Sequence, residues 1–505
     1  MIGVVPSQAA PVLLHVCGRY LPLSETFTYD LIGGLDGCSH HVLASSLEHL
    51  DAFPLPSVHA PHPESDAWTL ARQWGIDAVV CHFGPQCTMG MPLASMLGVP
   101  IVTVFHGYDV SRLLRDRLWV ERYRACFARG MHALCISDAG RRRLLEIGCP
   151  DAQVTVVRLG VDTSRFTYRP PSTRWATGRP VRILMVSRLV PKKGVRIALD
   201  ALESMTARGL ACELRIVGDG PLRDELQAHG ARLGLSNVTW LGAVPHAVVQ
   251  EAFDWADMYV QPSVTADNGD EEGIPVSLME ALASGLPVVS TRHSGIPELI
   301  VNERTGLLTD QSDVAGLADA LEALAGDQPR AERLAAAGRQ WVEQEFNQRR
   351  QTARVGRLLS ALVERRSRGE ASTSRTSRGV GRGLIVQSVD TALLARKLTL
   401  LTHRHPELSF DVLSSDPAAS ALDALPGIGQ VVGGLGDGST GQALPSDVRQ
   451  QLERARFSLA VVPFADETGL DRQWACDLAF SLRPDRVVGL TLRDREVAPA
   501  FTVSS

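Results

Sequence analysis

The sequence predicts an α/β protein made of two doubly wound parallel sheets, followed by a smaller α/β unit. Three observations lead there. The apolar runs are short and continuous rather than alternating, which suits strands covered on both faces, as in a parallel sheet. Helical stretches separate them. A chain of 505 residues is also longer than one hydrophobic core sustains.

In chain order, the first series of predicted strands is Val12–Cys17, Ala78–Phe83, Ile101–Phe105, Ala133–Ile136 and Val154–Leu159. A Pro-, Thr- and Arg-rich stretch, Tyr168–Pro180, then separates it from a second series: Arg182–Ser187, Glu213–Val217, Val238–Leu241, Met258–Gln261 and Val288–Ser290. These place an N-terminal Rossmann-like domain over 1–170 and a second over 171–366, the latter closing with helical sequence through Ala331–Arg366. Ser367–Arg382 is Ser, Arg, Thr and Gly without apolar periodicity, so a flexible linker is expected over 367–382. An accessory α/β domain of unknown role follows over 383–505. Its predicted strands are Gly383–Gln387, Phe410–Leu413, Leu459–Pro463 and Arg486–Leu490, with helices near Thr391–His403 and Asp447–Ala455.

Bulk properties exclude several classes. A formal charge of -5 gives no general drive toward nucleic acid, so no nucleic-acid partner is expected. The nine cysteines form no C-x-x-C pair and no Cys/His cluster at zinc spacing, as in a reducing compartment. No basic and apolar leader opens the chain, and no window reaches the roughly 18 apolar residues of a membrane helix. A cytoplasmic protein is expected. One segment leaves two readings open: Arg112–Arg129 mixes six arginines with Leu113, Leu114, Leu118, Trp119, Tyr123 and Phe127, and Arg141–Arg143 follow. Such a helix lies peripherally on anionic lipid at the inner face of the plasma membrane, or turns its apolar side to the core.

Four places carry chemistry. Glu272 and Glu280 stand eight positions apart at the mouth of a predicted helix, with Gly273, Ile274, Pro275 and Val276 between loop and helix. Pro275 suits the first helical turn and Gly273 permits close backbone approach. A helix start favours anions, and carboxylates accept hydrogen bonds from sugar or ribose hydroxyls. Next, Ser187-Arg188-Leu189-Val190-Pro191-Lys192-Lys193-Gly194 follows the first strand of the second domain, where open α/β sheets bind ligands. The Arg188 fork and the compact Lys193 charge suit a pyrophosphate, whereas a turn of this kind standing alone reads as solvated basic surface. His106 follows a buried strand of the first domain, at a carboxyl end facing a cleft; a lone histidine there is also a common structural residue. Finally, Gly18 is a single glycine after the first strand, able to let the chain approach phosphate. Beside it, Ser24, Glu25 and Thr26 read either as polar contacts or, for Ser24, as a helix cap.

Together the Glu-x7-Glu box, the Ser-Arg-Leu-x3-Lys-Gly turn, Val217-Gly218-Asp219-Gly220-Pro221, Leu159-Gly160-Val161-Asp162 and Ser294-Gly295-Ile296-Pro297-Glu298 resemble the family 4 glycosyltransferases of GT-B fold, over roughly Leu13 to Leu362. Tyr20–Phe27 and Asp270–Pro275 resemble the branch of colanic acid and amylovoran biosynthesis transferases. The resemblance implies two Rossmann-like domains facing across a cleft, and a retaining transfer of sugar from a nucleotide diphosphate sugar donor. The implied acceptor is a glycan or polyprenyl-linked chain of exopolysaccharide or cell-surface biosynthesis. It implies that His106 and Glu272 contact the transferred sugar, Arg188 and Lys193 the diphosphate, and Glu280 the ribose, with Gly273–Val276 lining the sugar pocket. Many members carry a glycine-rich loop where this chain has only Gly18. No Asp-x-Asp occurs in the transferase region, so neither metal nor cofactor is expected, with Arg188, Lys193 and the helix end supplying the charge. The alternative is a non-catalytic nucleotide-sugar-binding regulator on the same scaffold.

Overall fold

The structure, a computed structural model, describes residues 10–22, 25–60, 67–175 and 178–370. Beyond these it describes 381–386, 394, 408–414, 422, 428–433, 459–463, 486–490 and 496–497. Three sheets follow one another along the chain. The first contains β1 (Val12–Tyr20), β2 (Ser39–Leu47), β3 (Val58–His59), β4 (Ala78–His82), β5 (Ile101–Phe105), β6 (His132–Cys135) and β7 (Val154–Val156). They lie all parallel in the order β3-β2-β1-β4-β5-β6-β7. The second contains β8 (Val181–Val186), β9 (Cys212–Val217), β10 (Val238–Gly242), β11 (Met258–Gln261), β12 (Val288–Thr291) and β13 (Leu307–Thr309), parallel in the order β10-β9-β8-β11-β12-β13. Both are the doubly wound arrangement expected from the continuous apolar runs. In each, the winding reverses beside the first strand, which opens a crevice at the carboxyl ends of β1 and β4 and of β8 and β11.

The third sheet repeats the order with β14 (Gly381–Val386), β15 (Leu408–Ser414), β16 (Ile428–Gly433), β17 (Leu459–Pro463), β18 (Arg486–Leu490) and β19 (Glu496–Val497), only the β18–β19 pair being antiparallel. The helices expected near Thr391–His403 and Asp447–Ala455 lie outside the described residues, Leu394 excepted.

The sequence reading lacks β2, β3, β13, β16 and β19; in β16 the apolar run is broken by Gly429 and Gln430. β2 carries Ser39, His40 and His41 ahead of its buried Val42-Leu43-Ala44, so its apolar run is only three residues long. β3, β13 and β19 are too short to show a period.

The first sheet is covered on both faces. On one, Cys87 and Met91 of the helix Cys87–Leu97 and Trp119, Tyr123 and Phe127 of the helix Arg117–Ala128 join the core. The apolar side of the arginine-rich segment is therefore committed to the interior, with Arg122 stacked 4.5 Å over Trp119 and Leu118 exposed. No helix among the described residues is long and apolar enough to cross a membrane. On the other face, Leu13, Val80, Val102, Val104 and Leu134 pack beneath Val355 and Leu359. These two belong to the helix Gln348–Glu370, which follows the second sheet in sequence but covers the first in space.

The crossing point explains one motif. Val161 N donates to Phe346 O at 2.8 Å and Gln348 N to Val161 O at 3.2 Å. A Cβ on Gly160 would stand 2.4 Å from Gln348 Cα, so the glycine is where the two crossing segments touch. This helix also changes where the chain can be cut. It runs to Glu370, three residues past the Ser367 at which the linker was expected to begin, and β14 opens at Gly381; residues 371–380 lie outside the described residues. A chain ending at Glu370 is expected to remain folded, whereas one ending before Val355 uncovers the face under Val355 and Leu359 and aggregates. Thermal melting of the two truncations checks this, and equal melting would refute it.

Candidate active site

β8 ends at Val186 and runs into Ser187-Arg188-Leu189, which folds against the turn after β9. Ser187 N donates to Val217 O and Leu189 N to Asp219 O, both at 2.9 Å. Gly218 permits the approach: its φ is +126°, and a Cβ would lie 2.0 Å from Ser187 O. The Val217–Pro221 motif thus serves to set the loop that carries Arg188. Arg188 is exposed at the crevice, and its side chain makes no hydrogen bond or ion pair among the described residues.

The lysines are held more tightly. Pro191–Lys193 form one 3-10 turn, closed by Gly194 at φ +69°, where a Cβ would meet Pro262 O at 1.9 Å. This seats both lysines against the acidic run that follows β11, and each carboxylate there takes a different cation. Lys192 Nζ donates to Asp270 Oδ1 at 3.0 Å and to Glu271 O at 3.2 Å. Lys193 Nζ donates to Glu272 Oε2 at 2.9 Å, with Lys192 Nζ 3.7 Å from the other Glu272 oxygen. Glu271 accepts from Arg143, on the helix Asp138–Glu146 over the first sheet.

Glu272 is 6% exposed. Burial alone would raise its carboxyl, but Lys193 and Lys192 beside it prevail and hold it down to about 2. Burial conversely pulls the Lys193 ammonium below its ordinary value, against the opposing pull of Glu272. Glu272 N donates to Nε2 of buried His293, at 3.1 Å.

Across the crevice, β5 delivers His106 into a turn organised by Asp109. That buried carboxylate accepts from Gly84 N at 2.9 Å, His106 N at 3.0 Å and Gly107 N at 2.8 Å. Burial nevertheless raises it to about 6. The His106 ring sits between Phe27 and Phe83, at centroid distances of 4.8 and 4.3 Å, and neither ring nitrogen has a partner. Burial, with His82 adding to it, holds the imidazole down to about 3. A neutral imidazole can donate to and accept from a hydroxyl, but at that value it is a weak general base.

Backbone joins the two halves of the site. A Cβ on Gly273 would stand 2.1 Å from His106 O, and one on Gly107 would stand 3.0 Å from Gly273 N. Ser111 Oγ donates to Gly107 O at 2.9 Å and accepts from Glu271 N at 3.2 Å. The structure thus brings together His106, Glu272, Gly273 and Lys193.

The remaining candidates lie apart from that cluster. Pro275 is the N-cap of the helix Val276–Ala283 rather than part of its first turn, one position from expectation; Ile274 before it is buried. Glu280, in the second turn, faces His246 Nε2 at 3.5 Å instead of the lysines. Gly18 lies inside β1, which continues to Tyr20, and not in a loop after it; a Cβ there would meet the Gln86 side chain at 2.9 Å. Ser24 lies outside the described residues.

Sequence reasoning passed over His293, Asp109 and Arg143. His293 had a signal, since it ends β12's exit directly before the Ser294–Glu298 motif. Arg143 had none, because its partner Glu271 is 128 positions away.

Comparison with known proteins agrees with this architecture. Residues 173–341 match the family described as glycosyl transferases group 1, and residues 25–165 match glycosyltransferase family 4. The chain is 38% identical over 298 residues to the putative colanic acid biosynthesis glycosyltransferase WcaL of Escherichia coli strain K12, covering 58% of this chain and 72% of that one. It is 36% identical over 295 residues to the amylovoran biosynthesis glycosyltransferase AmsK of Erwinia amylovora, with the same coverage. Among solved structures, Anabaena HepE in complex with UDP and glucose superposes with a TM-score of 0.60 at 19% identity, over 70% of this chain and all of that one. That likeness concerns the fold.

Proposed function

The chain belongs to the group 1 glycosyltransferases, and on that premise we propose a retaining, metal-independent transfer of a sugar from a nucleotide diphosphate to a polysaccharide or lipid-linked oligosaccharide acceptor. Exopolysaccharide assembly is the setting, since WcaL and AmsK are named for the biosynthesis of such polymers. The observation that carries the reading is the buried Lys193–Glu272 pair at the carboxyl ends of β8 and β11, in backbone contact with the turn that holds a neutral His106.

In this reading Lys193 turns from Glu272 toward the diphosphate, and exposed Arg188 grips its oxygens with a planar fork. Glu272 and His106 hold hydroxyls of the sugar, the Gly273–Val276 backbone lines its pocket, and Glu280 accepts from the ribose. Gly18, near the carboxyl end of β1, lets the chain approach the diphosphate. As the bond from the anomeric carbon to phosphate oxygen breaks, the acceptor oxygen bonds to that carbon on the departing face. The acceptor's proton passes to the leaving diphosphate oxygen. Arg188 and Lys193 offset the negative charge developing there. A weakly basic His106 is poorly suited to drive attack from the opposite face, which supports the retaining reading. Contact with a membrane-bound acceptor would fall to the arginines left on the surface of Arg112–Arg129.

Nucleotide release across UDP-, GDP-, ADP- and TDP-sugars, in chelator, tests the reading. HepE binds UDP and glucose, which puts UDP-glucose first in the panel. An α-linked donor is expected to yield an α-glycoside, read from the anomeric coupling constant of the product by NMR. A β-product would overturn retention, activity lost in chelator would overturn metal independence, and binding without nucleotide release would leave the regulator.

A further inference from the structure

The turn of His106 is not the only imidazole on its face of the first sheet. Strand pairing aligns Leu13 with His40, His15 with Val80, and His82 with Val104. Because side chains alternate along a strand, His40, His15, His82 and Val104 share one face, and His106 follows two residues beyond Val104. His15 and His82 are buried, His40 is half-buried, and the proposed transfer uses none of the three.

Their hydrogen bonds run in one direction. His40 Nε2 lies 3.3 Å from Leu35 O, and a carbonyl only accepts, so His40 carries its proton on Nε2 and leaves Nδ1 bare. His15 Nε2, 3.1 Å from His40 Nδ1, must therefore donate, leaving its own Nδ1 bare. His82 Nε2, 3.0 Å from His15 Nδ1, must donate in turn. The sequence of constraints ends at His82 Nδ1, an unprotonated nitrogen that is buried and has no partner. Burial lowers all three imidazoles below their ordinary value, His82 to about 3, so the neutral forms assumed here are the populated ones.

Three buried ring nitrogens thus lack a partner among the described residues: Nδ1 of His82 and both nitrogens of His106, whose ring packs on Phe83, the neighbour of His82, and feels the His82 ring electrostatically. A neutral His106 has one N–H to give and His82 Nδ1 has one lone pair to offer. A hydroxyl group, which gives one proton and accepts another, satisfies both at once. We propose that His40, His15 and His82 form a one-way relay that fixes His82 with a bare Nδ1, and that His82 and His106 together hold one hydroxyl of the transferred sugar. This rests on the reading of His106 as a sugar-contacting residue. His82 is then a binding residue, and His15 and His40 are positioning residues that act through it.

Nitrogen-15 NMR of the histidine-labelled protein reads the tautomers directly. The expected result is the Nε2–H form at His40, His15 and His82; an Nδ1–H form at His82 would overturn the relay. Glutamine can both accept and donate where His15 does, and leucine can do neither. His15→Gln is therefore expected to keep the His82 tautomer and turnover, while His15→Leu mixes the tautomers and lowers kcat/KM by about tenfold, the scale of one lost hydrogen bond. Turnover is measured with whichever of UDP-glucose, UDP-galactose and GDP-mannose the unmodified chain consumes.

If His15→Leu does not fold, His82→Asn, which keeps an acceptor near the δ position, is compared with His82→Leu. The asparagine variant is expected to be about tenfold the more active, and equal activities would overturn the proposal. Monodeoxy versions of the donor locate the hydroxyl: one of them should be strongly discriminated by the unmodified chain and not by His82→Leu, and uniform discrimination overturns the shared-hydroxyl step. If the unmodified chain releases no nucleotide from any donor, the transferase reading fails and takes the sugar contact with it, while the tautomers judge the relay separately.

Discussion

Replacing Lys193 by alanine is expected to lower turnover by roughly a hundred- to a thousandfold, the loss typical when one electrostatic donor to a developing anion is removed. From the sequence alone, turnover is expected to fall far more than stability. The structure changes that expectation. Lys193 Nζ is bonded to a carboxylate that is 6% exposed, and removing one partner of a buried pair leaves the other charge uncompensated. Such losses run to about 3–5 kcal/mol, reduced here because Lys192 stands 3.7 Å from the same carboxylate. Lys193→Ala should therefore melt at lower temperature as well as turn over slowly. Adding Glu272→Gln removes the stranded charge, so Lys193→Ala with Glu272→Gln is expected to recover much of the melting temperature and not the activity. A double variant that recovers both would show that the pair is structural, and that the diphosphate is gripped elsewhere.

The second large effect is expected at Gly273. Its Cα faces the His106 carbonyl so closely that a Cβ would lie 2.1 Å from the oxygen and 2.4 Å from Ile136 Cδ1. The Ile136 methyl can rotate aside, but the His106 carbonyl is backbone and cannot, so Gly273→Ala must push the two halves of the site apart. A displacement of about an ångström between reacting groups costs on the order of a hundredfold in rate. The loss should fall on kcat, while nucleotide affinity, which the proposed function assigns to residues of the second sheet, should change little. UDP binding by calorimetry alongside turnover separates the two. Intact turnover in Gly273→Ala would mean that the contact seen here is absent from the reacting state.

Much of the architecture is legible without coordinates, because continuous apolar runs at intervals suffice to announce buried parallel strands. Met258–Gln261 and Ile101–Phe105 match to the residue. β2 does not announce itself, since its leading positions carry histidines; those histidines are half-buried, His40 against His15 and His41 against Trp74, which no local pattern encodes. The motifs behave similarly. Ser187–Gly194 and Glu272–Glu280 identify themselves by residue type, yet their spacing hides that Glu272 pairs with Lys193, Glu271 with Arg143 and Glu280 with His246.

What the sequence by itself determined is the class of the sheets, the strand ends at which chemistry gathers, and the family to which the motifs belong. These follow from short-range rules: periodicity within a strand, and the preferences of glycine and proline at turns. What only the tertiary structure decided is which groups share an environment. The helix Gln348–Glu370 covers the first sheet although it follows the second, Gly18 is strand rather than loop, and three histidines from three strands lie on one face. The physical reason is that burial and electrostatics act through space. A carboxylate reaches about 2 and an imidazole about 3 through what surrounds them, and those surroundings are assembled from positions tens to hundreds of residues apart.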